Sequence, residues 1–133
     1  MADTVKILNE IKVKGFLEAR LRDDGIVEAQ WDHSLEVVEI EHLAKLQEAL
    51  CELGDGKKMP FVIMPHDFLT VSKEGSQYAT SDEGVRYSLA IAVIIDNLAK
   101  KLLLNFFLNF NKAKVPTKGF TKKEEAIQWL KKF

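Results

Sequence analysis

Two short, wholly apolar runs constrain the fold most. Met59-Pro60-Phe61-Val62-Ile63-Met64 and Leu89-Ala90-Ile91-Ala92-Val93-Ile94-Ile95 carry no charge and are far too short to cross a bilayer. Turn-forming residues precede the first, at Gly54-Asp55-Gly56-Lys57-Lys58, and Pro65 closes it. Segments of this length, with no polar side, suit strands covered on both faces, the situation of central strands in a parallel sheet. Covering two faces requires helices on both sides, so the runs call for an α/β domain.

The rest of the chain supplies suitable neighbours. From Val13 to Leu21 apolar and polar residues alternate, and after Asp23-Asp24-Gly25 the alternation resumes from Ile26 to Trp31, which predicts an antiparallel hairpin. Val5, Ile7 and Ile11 either lengthen its first strand or form a lead-in. Leu43, Leu46, Leu50 and Leu53 then repeat at helical spacing, with Gly54 expected as a left-handed cap. Ser34 and the neighbourhood of Glu39 are alternative starts, because Val37, Val38 and Ile40 also suit an extended piece. Ser72 is the expected N-cap of a short second helix, weakened by Gly75 and Gly84. A third helix is predicted over Asn97 to Phe110, an edge strand over Thr117 to Phe120, and a fourth helix through Phe133, with Thr121 and Glu124 at capping-box spacing. The order ββαβαβαβα describes one domain over 1–133 with a mixed, mostly parallel sheet.

Composition narrows the function classes. One cysteine, Cys51, forbids an internal disulfide. No leader pattern is read at Met1 to Lys6, and the expected location is the cytoplasm. His33, His42 and His66 lack the spacing of a metal site and are expected on the surface or in loops. Gly54 to Lys58 follows a helix and lacks a hydroxyl after its lysine, so it is a turn and not a phosphate loop. With no nucleophile, base or metal set, the chain is expected to be a non-enzymatic binding protein without a cofactor.

Several stretches resemble a known group. Asn105 to Lys112, Val115 to Thr121 and Glu124 to Leu130 are similar to small bacterial proteins of unknown function with STAS/SpoIIAA-like folds. Asp23 to Ile26, Ser72 to Glu74, Tyr78 and Ser81 to Gly84 extend the similarity over nearly the whole chain. The resemblance implies a STAS-type α/β fold and a regulatory binding role. In the related anti-sigma factor antagonists a Ser or Thr at a helix start is phosphorylated. Here Ser72-Lys73-Glu74-Gly75 puts Lys73 or Glu74 at that position, leaving Ser72 a weak phosphorylation candidate and more naturally a cap. Some SpoIIAA-like proteins have also been compared with CRAL-TRIO lipid-binding domains.

The third helix is the candidate contact surface. On a helical wheel Leu98, Ala99, Leu102, Leu103, Phe106, Phe107 and Phe110 share the half expected to meet the sheet. Leu104 and Leu108 fall among Lys100, Lys101 and Asn105, on the expected outer side beside Phe107. Leu104, Phe107, Leu108, Lys100 and Lys101 are therefore candidate partner or ligand contacts. Self-association or another protein partner is the leading expectation. Apolar-ligand or anionic-membrane binding by the same helix and the groove beneath it is the alternative. Charge supports a polarised surface. Residues 1–96 hold 10 basic and 18 acidic side chains, a balance of −8, whereas residues 97–133 hold 9 lysines against Glu124 and Glu125, a balance of +7. Arginine is absent from the basic part and no nucleic-acid motif accompanies it, so nucleic acid is not expected as a partner.

Overall fold

The computed structural model describes residues 5–110 and 113–133, with the side chains of 103 and 106–110 excepted. The chain opens as an antiparallel meander of β1 (Ile7–Val13), β2 (Leu17–Arg22) and β3 (Val27–Trp31). This corrects the expected single strand from Val13 to Leu21. Gly15, at φ 77°, turns the chain there, and the amide of Phe16 donates to the carbonyl of Val13 at 2.9 Å. Only glycine adopts that backbone without strain.

Beyond the meander the pairing becomes parallel. β5 (Met59–Met64) lies beside β3, β7 (Ser88–Ile94) beside β5 and β8 (Thr117–Phe120) beside β7, giving the order β1-β2-β3-β5-β7-β8. The two apolar runs are the inner parallel strands, and their alternation separates two cores. Phe61, Ile63, Ile91 and Val93 face one side with Leu17, Ala29 and Trp31. Val62, Ala90 and Ala92 face the other, where α4 (Lys123–Leu130) inserts Ala126, Ile127 and Leu130. The small alanines of β7 let that helix lie close to the sheet.

The first face carries the remaining helices. α1 (Ile40–Leu53) begins after Glu39, whose side chain and His42 cap each other's turn, with the Glu39 amide donating to His42 Nδ1 at 2.8 Å. His42 is buried on the helix's apolar stripe, its ring edge-on to Phe16, and so differs from the expected surface histidine. Gly54 ends the helix at φ −92°, and the left-handed residues are Asp55 and Gly56. A second, two-stranded parallel sheet joins β4 (Val37–Val38) to β6 (Thr70–Val71). Of the two alternatives for this region, the extended piece at Val37 and Val38 with helix entry at Glu39 is the one adopted, whereas Thr70–Val71 was too short to leave a period. Ser72 caps α2 (Lys73–Ala79) as expected, its hydroxyl accepting from the Gly75 amide at 2.9 Å. A 3-10 turn, Glu83–Val85, leads to β7, and α3 (Leu98–Phe110) joins β7 to β8.

The α4 start corrects another expectation. The helix begins after Lys122 with no side-chain cap, rather than at Thr121. A tertiary contact ties this end: Lys123 Nζ lies 2.7 Å from Glu28 Oε1 beneath β3. Among the described residues the fold is thus mixed α/β, with a mostly parallel sheet and four α-helices.

Candidate ligand-binding cavity

A cavity of about 300 Å³ lies between the first face of the sheet and α1, α2 and α3. Its floor follows directly from strand register. Phe61 pairs with Ile91 and Ile63 with Val93, and Ile91 in turn pairs with Thr117, so one row of side chains continues across β5, β7 and β8. Leu43, Leu46 and Gln47 of α1 form one wall, Ala79 of α2 and Thr80 at its end another. Pro65 and His66, at the end of β5, close one end. Among the described residues, Lys100 and Leu104 of α3, with Lys114 and Val115, line a further side.

The polar groups in this lining are mostly occupied. Gln47 donates to the Ser88 hydroxyl at 3.0 Å and accepts from the Tyr87 amide at 2.9 Å. Thr80 and Thr117 donate their hydroxyls to nearby backbone carbonyls. His66 Nε2 lies 2.7 Å from the Leu35 carbonyl, which can only accept, so the proton sits on Nε2. His66 Nδ1 is buried without a hydrogen-bond partner. Its ring lies 5.4 Å from that of His33. Among the described residues no cluster of acidic, histidine or cysteine side chains could hold a metal.

Lys100 behaves as a strap. Its side chain is 13% exposed, so the stem lies along the cavity, while Nζ reaches Asp96 at 2.8 Å and Asp67 at 3.3 Å. Burial disfavours the ammonium, but the hydrogen bonds to Asp96 and Asp67 outweigh it and hold the lysine pKa above its ordinary value. Asn97 Nδ2 donates to Asp67 at 3.1 Å, so the start of α3 is fastened to the loop after β5.

The family described as a domain of unknown function, DUF7793, matches residues 20–133. The chain belongs to the DUF7793 family. A search of curated proteins finds none that matches. Among solved structures, the chain is similar to a crystal structure of a protein of unknown function from Arthrobacter sp. FB24. The identity is 21%, the match covers 84% of this chain and 96% of that one, and the TM-score is 0.30. A likeness of that size leaves the cavity to be interpreted from its own residues.

In this DUF7793 chain the sequence-selected contacts divide. Leu104 faces the sheet, half-buried over Gly119 and Ile95, not outward as its wheel position suggested. Lys100 also turns inward, whereas Lys101 is exposed. Leu98 and Leu102, expected against the sheet, are 69% and 58% exposed. Phe107 and Leu108 lie outside the residues whose side chains are described, and Lys112 lies outside the described residues. The reason for the reversal is that α3 is apolar on several sides, so periodicity alone cannot orient it. Its orientation follows from tertiary features, the bare backbone at Gly119 and the Asp96–Lys100–Asp67 strap. Sequence reading missed His66, Asp67 and Thr117. Only the large-small alternation of Ile91 and Val93 with Ala90 and Ala92 signalled which β7 residues could form a floor.

Among the described residues, no helix is long and apolar enough to cross a membrane. Cys51 is half-buried on α1.

Proposed function

We propose that the chain is a non-enzymatic binding module of STAS/SpoIIAA-like type, working in the cytoplasm, that holds an apolar small molecule between its sheet and α3. One observation carries this reading: a cavity of about 300 Å³ whose floor and walls are chiefly aliphatic and aromatic side chains. Small-molecule sites are typically of this kind, concave and apolar with few polar groups. An apolar cavity about half as large accommodates benzene, so the space suits a ligand of roughly a dozen non-hydrogen atoms.

Calorimetric titration with decan-1-ol tests the reading. Saturable binding that is lost in Val93→Trp, and also in Ala79→Phe from a different wall, supports it. Absence of binding, together with no retained small molecule in native mass spectrometry, overturns it.

Self-association through α3 is a second reading, favoured by the exposure of Leu98 and Leu102 one turn apart on the same helix. Light scattering tests it: a dimer mass that falls to the monomer mass in Leu98→Glu with Leu102→Glu supports this reading. A monomer mass before substitution overturns it.

A further inference from the structure

We infer that the cavity selects an uncharged ligand carrying at most a small polar group, and discriminates against an alkyl carboxylate of the same length. The inference rests on the ligand-binding reading above and concerns which chemistry that cavity accepts.

Among the described residues of the lining, two lysines would be the natural anchors for an anion, and both are occupied. Lys100 lays its stem along the cavity and presents its ammonium to Asp96 and Asp67, at 2.8 and 3.3 Å. Its ammonium is therefore already engaged by two carboxylates. Lys114 Nζ is held by Asp82 at 2.9 Å. The three aspartates are largely exposed and act by occupying the ammonium groups, so an incoming carboxylate gains a cation only by displacing one of them.

The neutral groups lead to the same result. A carboxylate only accepts hydrogen bonds and needs several donors when taken out of water. Gln47, Thr80 and Thr117 already donate within the protein, and His66 gives its Nε2 proton to Leu35. The remaining His66 nitrogen, Nδ1, carries a lone pair and has no partner. Ser76 is the one hydroxyl of the lining with no hydrogen bond from its side chain among the described residues. The Ser76 hydroxyl and the Trp31 indole N–H are neutral donors, which suit an alcohol or a carbonyl compound better than an ionised carboxylate that has no cation to pair with.

The test compares decan-1-ol with decanoate by calorimetry at about pH 8, where the acid is ionised. The wild type is expected to bind the alcohol at least about tenfold more tightly. Asp67→Asn with Asp96→Asn releases Lys100, and the ratio of decanoate to decanol affinity should rise at least about fivefold. Equal or tighter decanoate binding by the wild type overturns the inference while leaving the cavity reading intact. An unchanged ratio in the double variant overturns the role given to the aspartates. If neither compound binds the folded wild type, the cavity reading itself fails and the selectivity with it.

Discussion

Gly119 of β8 lies directly beneath Leu104 of α3. A Cβ atom at Gly119 would stand 2.8 Å from Leu104 Cδ2 and 2.6 Å from Ile95 Cδ1. The missing side chain is what allows α3 to settle over the edge of the parallel sheet. Gly119→Leu is expected to lower stability by about 1–3 kcal/mol through overpacking, and Gly119→Ala by less, because the Leu104 and Ile95 atoms it would meet are ends of flexible side chains. Chemical denaturation measures the change, and a Gly119→Leu variant as stable as the wild type would contradict this account of the contact.

The opposite face holds a buried ion cluster. Arg22 and Glu28, with side chains 4% and 8% exposed, meet at 2.9 Å, and Lys123 reaches Glu28 at 2.7 Å. Glu28→Ala removes one carboxylate from the buried Arg22 guanidinium, which Asp24 still holds at 2.9 Å, and should cost about 1–3 kcal/mol. Lys123 is partly exposed, so Lys123→Ala should cost no more than about 1 kcal/mol. Comparable losses for the two substitutions would argue against this difference in environment.

The same cluster sets an acid limit. Burial raises the Glu28 pKa, but hydrogen bonds from Lys123 and Arg22 outweigh it and leave the value below that of an ordinary glutamate. Asp24 follows suit: burial raises its pKa, and hydrogen bonds from Arg22 and the Ile26 amide bring it below the ordinary value. A carboxylate depressed in the folded state contributes stability that is present above its unfolded pKa, about 4, and is lost as pH falls through the folded value. Stability from this cluster should therefore hold between about pH 5 and 8 and decline below about pH 4. Glu28→Gln should show a shallower decline in denaturation curves taken across that range.

Phe68 occupies the left-handed region at φ 65° while its side chain is 97% exposed. It therefore carries backbone strain without compensating packing. Phe68→Asn, which tolerates this conformation better, should raise stability by about 0.5–1 kcal/mol. A lower melting temperature in Phe68→Asn would show that the ring makes a contribution its exposure conceals.

At Ser72 the hydroxyl satisfies the Gly75 amide. Ser72→Ala should cost about 1 kcal/mol, and Ser72→Asp should recover most of it because aspartate also caps. Failure of aspartate to recover stability would point to a requirement for the hydroxyl beyond capping.

The sheet was legible wherever burial leaves a repeating signal. Met59–Met64 is a strand between two neighbours, β7 lies within one residue of the expected apolar run, and Thr117–Phe120 is the edge strand. Ser72 was legible because a hydroxyl before a helix has a local use. By contrast, the break at Gly15 interrupts an alternation that continues in composition, and β6, unlike the Val37–Val38 strand it pairs with, is defined only by its partner strand. The orientation of α3 was not legible, since Leu102 and Leu104 have similar hydrophobicity and only Gly119 and the partners of Lys100 distinguish their surroundings. The cavity follows from that orientation, so its lining could not be assembled from periodicity.

The principal sheet places its strands side by side in the order in which the chain supplies them. Each new strand adds to an edge that already exists, and none has to be inserted between earlier neighbours. Synthesis from the N-terminus can therefore extend the sheet in one direction, beginning with the local meander and proceeding through the helical crossovers. In this sequence the floor of the cavity acquires its last row with β8, after the helix that lies above it has been made.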